Sequence, residues 1–168
     1  MITGLVLADH GGEELAVTLN ALVPAVVEGL MGDAVVVARR QEADFTTIAE
    51  VAGASFMLVP SGGEPWLAGA ALARREWLLC LEAGDVPGEG WMHAVDRFLT
   101  QAVRRDRPLG RFSRQPMSAA SAVINLTDRL AGTRTVRAGD LVQRAWLAGD
   151  RTRVRPERIG AAMRRDRP

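Results

Sequence analysis

The chain has no lysine and no tyrosine, and its only cysteine is Cys80. A lone cysteine excludes an internal disulfide and a cysteine zinc cluster, and it favours a reducing compartment. No apolar run approaches the ~18 residues of a membrane-spanning helix. The N-terminal stretch "MITGLVLADHGGEE" lacks the basic region that opens a secretory signal, so it is expected to be the first strand of the fold. Cytoplasmic placement follows as the expectation. Aromatic residues make up 5% of the chain. That is little for base stacking, and no nucleic-acid module is recognisable, so nucleic acid is not expected as a partner.

What is present is a 48% hydrophobic chain of 168 residues with an uneven charge distribution. This suits a single globular domain with a sizeable core. Residues 1–103 carry 5 arginines against 14 acids, a balance of −9; residues 104–168 carry 16 against 6, a balance of +10. Two readings stand. Arginine bias in a GC-rich genome is one; a basic half facing phosphates or an anionic membrane surface is the other.

The first hundred residues alternate between two periodicities. "ITGLVLA", "AVVVA", "SFMLV" and "WLLCL" are short β-branched or apolar runs that read as buried strands. Between them, Glu13–Met31, Phe45–Ala52 and Leu67–Arg75 have helical spacing, and Trp91–Arg104 follows as a longer amphipathic helix. Pro24 is expected to kink or split the first helix. Asp44 is a candidate N-cap for the second. Strand and helix alternating four times predict an α/β fold with a mostly parallel central sheet flanked by helices.

Ligands of such sheets bind beyond the carboxyl ends of the strands. Asp9 and His10 stand at one such end, Arg39 and Arg40 at a second, Glu82 and Asp85 at a third. Beyond residue 104, Leu109–Phe112 reads as a short strand, Ser118–Leu130 as a helix, and Leu141–Leu147 as either. Residues 151–168 read as an Arg-rich exposed helix or frayed tail. Several features have ordinary readings. Cys80 is a small buried hydrophobe, His93 is structural, and Trp66, Trp77 and Trp91 pack, with Trp91 also able to stack on a sugar or base. Ser61-Gly62-Gly63 lacks the lysine and spacing of a P-loop and reads as a turn.

The order of these parts resembles the family 2 glycosyltransferases of the GT-A (Rossmann-like) fold. The resemblance runs from Ile2 to about Phe98. It is carried by "ITGLVLADH", by "LAVTLNALVPAVVEGLMGDAVVVA", and above all by "IAEVAGASFMLVPSGGEPWLAGAALARREWLLCLEAGDVPGEGW". In that last piece the family has an apolar strand ending in Asp-x-Asp, and a Pro and a Gly-Trp pair like Pro87 and Gly90-Trp91. "GRFSRQP" and "AGDLVQRAWLAG" resemble the acceptor-side half.

The resemblance implies one GT-A-like domain over 1–150, with a nucleotide-sugar half at 1–103, an acceptor half at 104–150 and a tail at 151–168. It implies inverting transfer of a sugar from a nucleotide-diphosphate donor, in a bacterial setting. Glu82 and Asp85 would hold Mg²⁺ or Mn²⁺ on the diphosphate. Asp9, His10, Arg39, Glu82 and Arg144 would line the donor site, and Asp140 would be the catalytic base. The acceptor stays open, with lipid-linked and envelope glycans as candidates and a peripheral inner-membrane contact through the Arg-rich end.

The chain also departs from the family. Ala38 or Arg39 stands where an acid reads the nucleobase, and arginine accepts no hydrogen bond. Without a gap, Asp-x-Asp falls on Glu82-Ala83-Gly84, so Gly84 removes the second ligand and leaves Asp85, one residue on, as its substitute. A catalytically inactive binding or scaffolding protein is therefore the alternative.

Overall fold

The computed structural model describes residues 1–9, 11–114, 119–149 and 151–165. Four parallel strands form its first half: β1 (Ile2–Leu7), β2 (Met31–Ala38), β3 (Ser55–Leu58) and β4 (Trp77–Glu82). β1 lies between β2 and β4 and is buried along its whole length. This explains its unbroken apolar run, since helices cover both faces of a central parallel strand.

Helix α1 (Gly12–Val27) turns Leu15, Thr18, Leu19, Leu22 and Ala25 inward, one stripe at helical spacing. Pro24 does not split it, and the helix stops at Val27, short of the expected Met31. The helix carries on for three residues past Pro24, the N–H of Glu28 donates to the Pro24 carbonyl at 2.9 Å, and Met31 already opens β2. Pro24 costs little there because it removes one bond in the last turn. Helices α2 (Ala43–Val51) and α3 (Pro65–Leu72) follow, each starting two residues earlier than their spacing predicts. The N-cap of α2 is Glu42, and Asp44 falls in its first turn.

β4 ends in a two-residue link, Ala83-Gly84, that leads straight into a strand the sequence does not signal, β5 (Asp85–Pro87). Helix α4 (Trp91–Arg105) comes next, then β6 (Leu109–Ser113), α5 (Ala119–Ala131), β7 (Asp140–Gln143), α6 (Arg144–Ala148) and β8 (Glu157–Arg165). "LVQRAWL" thus divides into strand and helix. Within the segment expected as an exposed helix or tail, Glu157–Arg165 is a sheet strand bonded to β6 and β5. Its burial alternates, with Ile159, Ala161 and Met163 in the core.

The strand order is β3-β2-β1-β4-β7-β6-β8-β5. β7 runs antiparallel to β4 and β6, β8 runs parallel to β6, and β5 runs antiparallel to β8. β4 and β5 are separated by two residues in the chain and by three strands in the sheet. The sheet therefore curls until its last strand returns to the end of β4. One face packs on α1, α2 and α4, with Trp77 and Phe98 edge-to-face at 5.6 Å; the other packs on α3 and α6 around Trp66, Cys80 and Leu147. All three tryptophans singled out above are buried there.

Candidate donor site at the carboxyl edge of the sheet

The curl decides what surrounds the turn after β4. Gly84 takes φ +90°, a conformation that glycine adopts without strain. The turn is nonetheless pinned, because the Gly84 N–H donates to the Glu14 carbonyl at 3.0 Å and to Thr18 Oγ1 at 2.9 Å, both on α1.

Glu82 and Asp85 come together at this turn. Asp85 is fully buried, and its Oδ2 accepts from the Glu82 N–H at 2.7 Å and from Arg114 Nη2. Arg165 Nη2 donates to Glu82 Oε2, while its Nε lies 3.9 Å from Asp85 Oδ1. That Oδ1 has no hydrogen-bond partner. Burial pushes the Asp85 carboxyl above the ordinary range, although Arg114, the Glu82 N–H and Arg165 all pull it down.

Register delivers one guanidinium, and the path of the chain after β6 delivers the other. Asp85 pairs with Arg165 across β5 and β8, and Arg165 falls in phase with the buried Ile159, Ala161 and Met163. Arg114 follows β6 directly and crosses Gly139, whose φ is +89°. A Cβ on Gly139 would stand 2.7 Å from Arg114 Nε. Gly139 therefore serves both its own backbone conformation and the passage of Arg114.

Asp9 and Arg39 meet at the ends of β1 and β2, with Arg39 Nε 3.4 Å from Asp9 Oδ2 and both side chains partly exposed. His10 lies outside the described residues. Arg144 stands elsewhere. β7 runs against β4 with Asp140 opposite Cys80 and Gln143 opposite Trp77, so Arg144 emerges at the amino end of β4. There its Nη1 donates to the Ala73 carbonyl at 2.7 Å, closing α3.

Asp140 is fully buried and engaged on both oxygens. Arg111 Nε donates to Oδ1 at 2.6 Å; Arg111 Nη2 and the Arg137 N–H each donate to Oδ2 at 2.9 Å. Arg111 Nη1 also reaches Asp128 Oδ2 at 2.7 Å, and Arg137 Nη2 reaches the same oxygen at 2.8 Å. Asp128 comes from α5, a helix that shows Val123, Ile124, Leu126 and Leu130 to solvent. Burial raises the Asp140 carboxyl while Arg111 and Arg137 lower it, and the net direction is up. Burial works to lower the Arg111 guanidinium, but Asp140 and Asp128 hold it above its ordinary value. A base must reach the proton it abstracts; here Asp140 reaches Arg111.

Sequence reasoning thus missed Arg111, Arg114, Asp128 and Arg165. The alternation of Ile159, Ala161 and Met163 could have placed Arg165 on a strand facing inward. Among the described residues no group of three or more His, Cys, Asp or Glu side chains could hold a metal ion.

No family model and no curated protein sequence matches the chain. Solved structures do. Glucosyl-3-phosphoglycerate synthase from Mycobacterium tuberculosis, in complex with phosphoglyceric acid, matches with a TM-score of 0.63 at 13% identity, over 88% of this chain and 58% of that one. Mannosyl-3-phosphoglycerate synthase from Rubrobacter xylanophilus matches with a TM-score of 0.62 at 10% identity, over 86% and 54%. S. aureus TarS 1-349 matches with a TM-score of 0.57 at 14% identity, over 88% and 48%. The mycobacterial enzyme is also known in complex with Mn²⁺ and uridine-diphosphate-glucose. This chain therefore spans about half the length of these proteins, and what it shares with them is the GT-A-type glycosyltransferase fold.

Proposed function

We propose that this protein binds a nucleotide-diphosphate sugar at the carboxyl edge of β1, β2 and β4 and transfers the sugar to an acceptor hydroxyl. The observation that carries this reading is the gathering of Asp9, Arg39, Glu82 and Asp85 at the strand ends where ligands of such sheets bind. The likeness to sugar-transferring enzymes supports it. In this reading Arg39 meets the donor's phosphate or base edge. Asp140 acts through Arg111, as a positioning residue behind the site. The acceptor is a glycan or lipid-linked sugar, and the protein works in the cytoplasm.

Calorimetric titration of UDP and GDP into the full chain tests the donor half of the proposal. Saturable binding that weakens in Arg39→Ala is expected; no heat up to millimolar nucleotide would sink it. A second reading, a glycosyltransferase-like protein that binds without catalysing, is favoured by one observation. Every carboxylate aligned with a catalytic or metal-holding role is already paired with an arginine. Release of UDP from a UDP-sugar, in the presence of candidate acceptors, separates the two.

A further inference from the structure

At a diphosphate site the family resemblance implies a divalent cation held by Glu82 and Asp85. The residues present do not fit one. Hard cations such as Mg²⁺ take about six oxygens, with carboxylates, waters and phosphate sharing the shell. Here Asp85 has no exposed surface and its Oδ2 is spent on the Glu82 N–H and Arg114. Glu82 Oε2 is spent on Arg165, which also lies on the Asp85 Oδ1 side. Two guanidiniums stand beside the two carboxylates, so an arriving cation meets repulsion that offsets much of the carboxylates' attraction. These arginines are not loose surface groups. One is fixed by the β5–β8 register and the other by its passage over Gly139.

We infer that Arg165 and Arg114 take the place of a divalent cation at this turn. The protein neither binds nor needs Mg²⁺ or Mn²⁺ there, and a diphosphate arriving at this edge meets guanidinium N–H groups where a metal would stand. Arg165 and Arg114 keep 19% and 27% of their side-chain surface exposed, and a guanidinium carries five donors in a fork that matches phosphate oxygens. The exclusion of metal stands on geometry alone; the role toward the diphosphate rests on the donor-binding reading above.

The first test is electron paramagnetic resonance of Mn²⁺ titrated into the full chain. The signal of free aqueous Mn²⁺ is expected to stay undiminished through the millimolar range. A bound ion with micromolar affinity that is lost in Glu82→Gln would overturn the inference. The second test is Arg165→Gln against Arg165→Lys. The glutamine variant leaves Glu82 without its cation and is expected to gain a rise in melting temperature on adding Mn²⁺. The lysine variant and the wild type should not gain one, and equal shifts in all three would count against the inference. Should the glutamine variant fail to fold, the wild-type spectra still decide. The third test is UDP affinity in EDTA and in Mn²⁺. Equal affinities are expected, and an about tenfold gain with Mn²⁺ would refute the replacement. Absence of any UDP binding would instead defeat the donor reading, with metal exclusion decided by the first two tests.

Discussion

The two halves of this chain are held together by different forces. The acidic half, through β4, buries strands on both faces, and pairs such as Arg39 with Asp9 and Arg40 with Glu42 lie at its surface. The basic half buries charge. Arg111, Asp140 and Asp128 lie inside it, Arg165 crosses to Glu82 at the end of β4, and Arg114 crosses to the buried Asp85 just beyond β4. Arg151 does the same with Glu64. The opposed balances of −9 and +10 are thus partly spent on each other. An apolar core tolerates exchange of one hydrophobe for another, whereas buried charge depends on each partner being in place.

The largest expected effect is on the buried network. Arg111→Met leaves Asp140 and Asp128 short of a cation and should cost about 3–5 kcal/mol in urea unfolding. Adding Asp140→Leu should recover a large part of that loss, because removing both partners costs less than removing one. If the double variant is no better than the single one, the network is not what holds the basic half.

Next is Gly139→Ala. The φ of +89° and the 2.7 Å approach to Arg114 Nε predict a loss of about 1–3 kcal/mol, read from the same unfolding curves. A neutral outcome would show that Arg114 has another route to Asp85.

A smaller effect, with a definite sign, belongs to Asp85. Its folded carboxyl is raised from 3.8 by burial, so the folded state holds the proton more tightly than the unfolded chain. Stability from this group is therefore greatest in acid and falls as pH rises through the raised value. Against Asp85→Asn, the wild type should lose relative stability from about pH 4 upward. The opposite slope would mean that the arginines outweigh burial at this carboxylate.

The smallest stability effect is expected at the acidic half's surface. Arg39→Ala breaks an exposed pair and should cost under about 1 kcal/mol, while UDP affinity drops several-fold on the donor-binding reading. A large loss of stability there would erase the contrast between the halves.

How much was legible follows the same division. "ITGLVLA" and "WLLCL" announce β1 and β4 because a strand buried on both faces must be apolar throughout. Leu15, Leu19 and Leu22 announce α1 because one helical face must be apolar. β5 gave no such signal, since three residues with a carboxylate at their head look like a turn. β8 was masked by its arginines, although Ile159, Ala161 and Met163 alternate beneath them.

The sequence by itself determined the α/β alternation, the parallel first half and the candidate carboxylates at its edge, because hydrophobic periodicity is a local property of the chain. Only the tertiary structure decided that the sheet curls, that Arg165 returns to Glu82 across 83 positions, and that Asp140 faces Arg111. Charge pairing acts through space, and a guanidinium finds its carboxylate only after the strands that carry both have taken their register.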